Sequence, residues 1–393
     1  MSGLPSIKIQ VENGNLDAAI TTNDAVCGYV VSGVGLADLP LGSPKLITSL
    51  EGAESIGITE EYDALHSIKV HQQIESFYKR AGASSPLWIL LTPQSMLYED
   101  MVNEAKKLLK APKVNRIVTL GINRYPDAAY VANRDNGLDD DVISGVFALE
   151  RLREEFSALH RPFRAVIGAR ELDDDLTVPY NFRTGSNSGV LVYCGNDDGS
   201  FDADVAAPLG RRAANAIQRN IGAKADGDIG YLNAYLTNGI AIDDELEGYD
   251  ETMLGVLHDN GYTFPRVWAE FEGYYFCNDL TATLETDDYS TWANGHVIDK
   301  AAVIAYKTFV EHALEENDTD DEGKISPVVI KNYQNEITSQ LNLTMVDTGN
   351  VTSASCTIDA NQAVLSTSEL NIGLSVRPKF YNKTINISLG FTA

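Results

Sequence analysis

The sequence predicts an α/β fold, a mostly parallel sheet flanked by helices, followed by a smaller C-terminal α+β domain. Three observations carry this. Between residues 21 and 265, continuous apolar runs alternate with segments of helical period, as strands covered on both faces require. After Pro265 the chain turns to aromatic and alternating runs around two helices, over 266–382. The ends, 1–20 and 383–393, read as extended arms, because each carries strict apolar alternation.

The first arm alternates Ile7, Ile9 and Val11 with Lys8 and Gln10, and Asn13-Gly14-Asn15 breaks it. Ala25 to Val31 is an unbroken apolar strand. A helical pattern over Tyr62 to Ala81 carries Leu65, Ile68, Ile74 and Phe77. Strand Leu87–Leu91, helix Leu97–Leu109, strand Ile117–Gly121, helix Val142–Leu159 and strand Phe163–Gly168 follow. Strand Gly189–Cys194, helix Val205–Gln218 and a weaker helix near Glu251–His258 complete the α/β domain.

In the C-terminal domain an aromatic strand, Gly273-Tyr274-Tyr275-Phe276-Cys277, leads through Asn278-Asp279 into a long helix. Its stripe is Val297, Ile298, Ala301, Ile304, Ala305, Thr308, Phe309 and His312. Asp287, Asp288 and Ser290 are candidate caps, with Asn294-Gly295 marking an alternative start one turn later. A second helix is expected from about Val328 to Leu341, then strand-like runs at Val351–Ile358, Leu370–Val376 and Thr384–Phe391. In the last, Ile385, Ile387, Leu389 and Phe391 alternate with small polar residues and glycine.

At 393 residues the chain suits two domains, and no apolar run approaches the ~20 residues of a membrane helix. Met1-Ser2-Gly3-Leu4-Pro5-Ser6 lacks the basic and apolar regions of a signal peptide, so synthesis and folding in the cytosol are expected. Thirty basic against 56 acidic side chains give a formal charge of -26, which argues against nucleic acid or an anionic membrane as partner. Cys27, Cys194, Cys277 and Cys356 are far apart, without a Cys-x-x-Cys pair, and read as reduced, mostly buried thiols.

Tests for catalytic chemistry find none. Gly33-Val34-Gly35 follows a strand, but Asp38 holds the third glycine position of a dinucleotide fingerprint and Pro40 blocks the helix start. Gly185-Ser186-Asn187-Ser188-Gly189 has the frame of a nucleophile elbow with an amide in the nucleophile's place. The six histidines lack metal-ligand spacing, and Asp318, Asp320 and Glu322 begin a calcium-like loop whose closing position is Val329. No catalytic, cofactor or metal residue is assigned, and the chain is not read as an enzyme.

Gly273 to Thr281 and His296-Val297-Ile298-Asp299-Lys300-Ala301 resemble segments of contractile tail sheath proteins, from phages and phage-tail-like injection devices. The resemblance extends to the Gly323-Lys324-Ile325-Ser326-Pro327 turn into a helix and to both terminal strands; over 21–265 it rests on the α/β alternation. It implies a structural subunit that self-assembles helically around an inner tail tube protein, bounded by baseplate and terminator proteins, in a particle assembled in the cytosol. It further implies that Ile7, Ile9, Val11, Ile385, Ile387, Leu389 and Phe391 form strands shared between subunits. Pairing of both strands within their own subunit is the alternative. Lys324 and Lys331, in an acid-rich chain, are the candidates to face the tube. A hydrolase-like enzyme or another self-assembling shell are the competing readings.

Overall fold

The structure, a computed structural model, describes residues 23–113, 115–243 and 251–391. Ile7, Ile9 and Val11 lie outside the described residues. Seven strands form the central sheet: β1 (Cys27–Ser32), β2 (Lys45–Ile47), β3 (Leu87–Thr92), β4 (Thr119–Asn123), β5 (Arg164–Gly168), β6 (Val190–Tyr193) and β7 (Tyr262–Thr263). Their spatial order is β7-β6-β5-β4-β1-β3-β2. All pairings are parallel except β2 with β3. Every residue of β1, β4, β5 and β6 is buried, which explains why these strands read as apolar runs without alternation.

The crossovers carry α1 (Leu50–Glu54), α2 (Glu60–His66), α3 (Val70–Ala81), α4 (Tyr98–Lys110), α5 (Asp140–Ala158), α6 (Ala206–Ala214) and α7 (Glu251–Asp259). Glycines let two of them close on the sheet. A Cβ on Gly28 would meet Leu108 of α4 at 3.0 Å, and one on Gly121 would meet Leu209 of α6 at 3.0 Å from the opposite face. Helices α4 and α5 pack together on one side, α3 and α6 on the other.

The expected single helix over Tyr62–Ala81 is two. Ser67 takes a left-handed backbone (φ 53°) and ends α2, while the Asp63 carboxylate accepts the N–H groups of Val70 and Gln72 and so starts α3. Leu65, expected on its apolar face, is 77% exposed. The helix expected to reach Gln218 stops at Ala214, because the buried Arg212 guanidinium gathers the carbonyls of Asn215, Ala216, Ile217 and Arg219. Edge strands β2 and β7, of three and two residues, were too short to give a period.

A hairpin of β8 (Pro265–Trp268) and β9 (Phe271–Phe276) follows. Then come α8 (Trp292–Phe309), α9 (Pro327–Leu341) with a π turn over Asn342–Val346, and an antiparallel pair, β10 (Ser353–Ile358) with β11 (Ile372–Arg377). Ser326 caps α9 and Pro327 fills its first position, where no N–H is needed. Helix α8 begins in the main core, at Trp292, and ends in a second one. That second core joins Val297, Ala301 and Ile304 to Ile337, Leu341, Met345 and the inner face of β10 and β11.

None of Asp287, Asp288 or Ser290 caps α8. Asp279 does so from thirteen positions away: its carbonyl accepts from Trp292 N–H (2.8 Å) and its carboxylate from Ala293 N–H (3.0 Å). His312 is not on the α8 stripe; the helix ends at Phe309, and the ring sits in a turn between Glu315 (2.7 Å) and Glu336 (2.8 Å). Thr384–Phe391 is not a strand here; among the described residues it has no pairing partner.

Candidate functional site

In doubly wound sheets ligands bind beyond the carboxyl ends of the strands, where the strand order reverses. Here the reversal is at β1, with β3 on one side and β4 on the other. The chain's own side chains fill that crevice. The Tyr98 hydroxyl donates to the Gly168 carbonyl (3.1 Å) and accepts from Arg124 N–H (3.2 Å). The Asn123 amide donates to the carbonyl of Ala203 (2.8 Å) and to the Tyr125 hydroxyl (3.1 Å). Arg124 pairs with Asp141 (2.8 Å), both buried, beneath the Tyr130 ring (3.9 Å). These bonds make a packed polar network of the crevice, and burial there pushes the Tyr98 phenol and the Asp141 carboxyl above their ordinary ranges.

The loop after β1 is closed in the same way. The Tyr62 hydroxyl accepts from Val34 N–H (2.8 Å) and donates to the Val34 carbonyl (2.6 Å), so a backbone donor that a phosphate loop would present is used internally. Asn187, in the elbow-like frame, is buried and pairs in register with Ala282.

The unfinished surface is at the other end of the chain. β10 and β11 turn Ala354, Cys356, Leu374 and Val376 inward, while Ser353, Ser355, Thr357 and Ser375 are exposed. The pair is a two-stranded sheet, and among the described residues neither outer edge has a partner, which leaves two rows of main-chain donors and acceptors open to strand addition. Further along the chain, Ile385, Ile387, Leu389 and Phe391 are 70, 83, 97 and 109% exposed. Among the described residues, nothing covers these four large apolar side chains at alternate positions.

Lys331 projects from the exposed side of α9, whose buried side is Ile330, Tyr333, Ile337 and Leu341. Lys324 lies in the turn before that helix and bonds Glu322 (2.7 Å), which with Asp320 raises its pKa. The two lysines therefore differ: one is already paired, the other stands on a face otherwise made of Val328, Asn332, Asn335 and Ser339.

Three features escaped sequence reasoning. Arg164 at the start of β5 forms a buried two-pronged pair with Asp299 of α8 (2.7 and 2.9 Å). Lys300, the next residue, is buried and bonds Asp24 (2.6 Å) and Asn350 (2.8 Å). Tyr381 bonds Thr291 (2.9 Å) and Asn294 (3.3 Å) at the start of α8. An arginine opening an apolar strand was the one visible signal among them.

The N-terminal domain model of DUF2586 matches residues 4–280 of the chain. The chain belongs to the DUF2586 family. No curated protein matches it in sequence. Its fold recurs in solved structures. A chain of the anti-feeding prophage baseplate is 12% identical and aligns with a TM-score of 0.62 over 100% of both chains. One from the anti-feeding prophage helical sheath in its contracted state is 13% identical, at 0.63 over 99% of both. The sheath complex of an extracellular contractile injection system, also contracted, is 11% identical, at 0.56 over 99% of this chain and 98% of the other. This DUF2586 chain thus has the fold of contractile sheath subunits from its first strand to its C-terminal segment. Among its described residues no helix is long and apolar enough to cross a membrane.

Proposed function

We propose that the protein is the subunit of a helical contractile sheath, a structural protein that surrounds an inner tube and shortens to drive it through a target envelope. The observation that carries this is the presence together of an open-edged two-stranded sheet and an apolar, alternating segment that the described residues leave bare. Each supplies what the other lacks: main-chain partners at the edge of β10 or β11, and side chains at every second position to seat beneath them. Hiding Ile385, Ile387, Leu389 and Phe391 in a neighbour is worth about 1.5 to 3 kcal/mol each, or roughly 6 to 12 kcal/mol before the cost of ordering the arm. The shared sheath fold and the self-filled crevice at the switch point support a structural role over an enzymatic one.

In this reading residues 266–382 are the assembly domain, 383–393 the donor arm, and the N-terminal 1–20 with Ile7, Ile9 and Val11 a second arm. Baseplate and terminator proteins would bound the assembly, and the exposed side of α9, with Lys331 and then Lys324, would face the tube. Lys331 is the stronger candidate, because Glu322 already occupies Lys324.

Electron microscopy of the purified protein tests the proposal. Long striated tubes are expected from the whole chain, and soluble monomers of unchanged melting temperature from a chain lacking Thr384–Ala393. A particle without helical order, or a truncated chain that still forms tubes, refutes it.

A further inference from the structure

Nearly all of residues 378–391 is exposed, with Tyr381 the exception. Its hydroxyl reaches Thr291 Oγ1 (2.9 Å) and donates to Asn294 Oδ1 (3.3 Å), both at the first turn of α8. Two residues on, Lys383 pairs with Glu285 (2.6 Å) in the acidic turn that precedes the helix. No hydrogen bond ties residues 384–391 to the other described residues. The free arm therefore begins after Lys383, although β11 ends at Arg377.

The element it is tied to is itself immobilised. Asp299 holds α8 to β5 through Arg164, Lys300 holds it to Asp24 and Asn350, and Asp279 closes its N-terminus. We propose that α8 is the mount of the C-terminal arm, and that Tyr381 and Lys383 form a latch that fixes where and in which direction the arm leaves the subunit. This rests on the sheath reading for its purpose, but the latch belongs to the single chain.

The consequence is geometric. From Lys383 the eight residues to Phe391 reach about 26 Å when extended; from Arg377, with the latch open, fourteen residues reach about 46 Å. A tethered segment's effective concentration at its target falls as roughly the −3/2 power of its length, so opening the latch dilutes the arm about twofold even before its direction is lost. Tyr381 and Lys383 are thus positioning residues for an interaction made further along the arm.

The test joins Tyr381→Phe to Lys383→Met, which keeps the ring and an unbranched apolar stem while removing both polar ties. With a fluorophore attached enzymatically at the C-terminus of the monomer, the fast component of the anisotropy decay should grow in the variant while its melting temperature stays that of the parent. Tubes of the variant should nucleate at least about twofold more slowly and show a broader spread of helical twist. An anisotropy decay unchanged from the parent overturns the latch, and so do tubes of the same rate and twist. Should the parent chain form no tubes, the sheath reading fails and the anisotropy alone decides the latch.

Discussion

Asp279 is the group whose titration should be felt most strongly in stability. It is fully buried, and its carboxylate accepts from Ala293 N–H and from the Asn220 amide (2.6 Å). Desolvation raises its pKa from 3.8 to about 7; those hydrogen bonds and the Arg212 charge offset only part of this. Between these two values the folded chain binds a proton that the unfolded chain has released, so stability falls as pH rises through the window. Each unit is about 1.4 kcal/mol, and above the folded pKa the accumulated cost is about 4 kcal/mol. Asp279→Asn removes the charge and keeps an acceptor for Ala293, at the cost of the Asn220 bond, about 1 to 3 kcal/mol. Denaturant titrations of both proteins at about pH 5 and about pH 8.5 measure the difference, in which the other carboxyls cancel. The variant should gain about 2.7 kcal/mol on the parent between those values, reaching parity or better at the alkaline end. A difference that stays constant with pH would show that Asp279 is not a buried acid of raised pKa.

Three further outcomes are expected. His312 is lowered by burial, but its bonds to Glu315 and Glu336 outweigh that and hold its pKa above 6.5; its contribution is full below that value and is lost as pH rises through the folded one. Melting curves should therefore show His312→Gln most destabilising in mild acid and nearly neutral at high pH. Arg164→Met alone should cost about 3 to 5 kcal/mol in equilibrium unfolding by stranding Asp299, and Arg164→Met with Asp299→Leu should recover most of it. If the lysine side of α9 meets an acidic tube, Lys331→Glu should weaken sheath assembly on tubes at low salt more than Lys324→Glu does, with the gap closing as salt rises.

How much of this was legible in the sequence follows from how local each signal is. The fully buried strands β1, β4, β5 and β6 and the nearly buried β3 announced themselves as apolar runs, and α4, α5 and α9 by their period, because in each the pattern is set by the element's own neighbours. The break at Ser67 was not legible: it depends on Asp63 capping a helix that starts seven residues later, and nothing in the apolar period records it. The cap of α8 failed for the same reason at longer range. Asp287, Asp288 and Ser290 had the right chemistry and the right spacing, yet Asp279 arrives through the fold and takes the position. Ion pairs such as Arg164–Asp299, 135 positions apart, leave no trace in a periodicity.

The C-terminal segment shows the opposite case, in which the local pattern was read and its structure was not. Alternation at Ile385, Ile387, Leu389 and Phe391 states which side chains want a common face, and it says nothing about who supplies the second strand. The described chain leaves that face bare and leaves the outer edges of β10 and β11 bare as well. A lone two-stranded sheet is marginal in water, and among the described residues this one packs through its inner face on α8, α9 and the π turn after α9. An added strand would therefore stabilise both partners: it would extend the acceptor's sheet and cover the donor's apolar row. A charge of -26 favours solvation of single subunits and opposes the first contacts between copies. Moderate salt should thus speed the growth of tubes from purified subunits, followed by light scattering, because screening weakens the repulsion and leaves strand addition and apolar burial intact. Growth that slows as salt is added from low ionic strength would mean that charge pairs between subunits, rather than the arm, hold the assembly together.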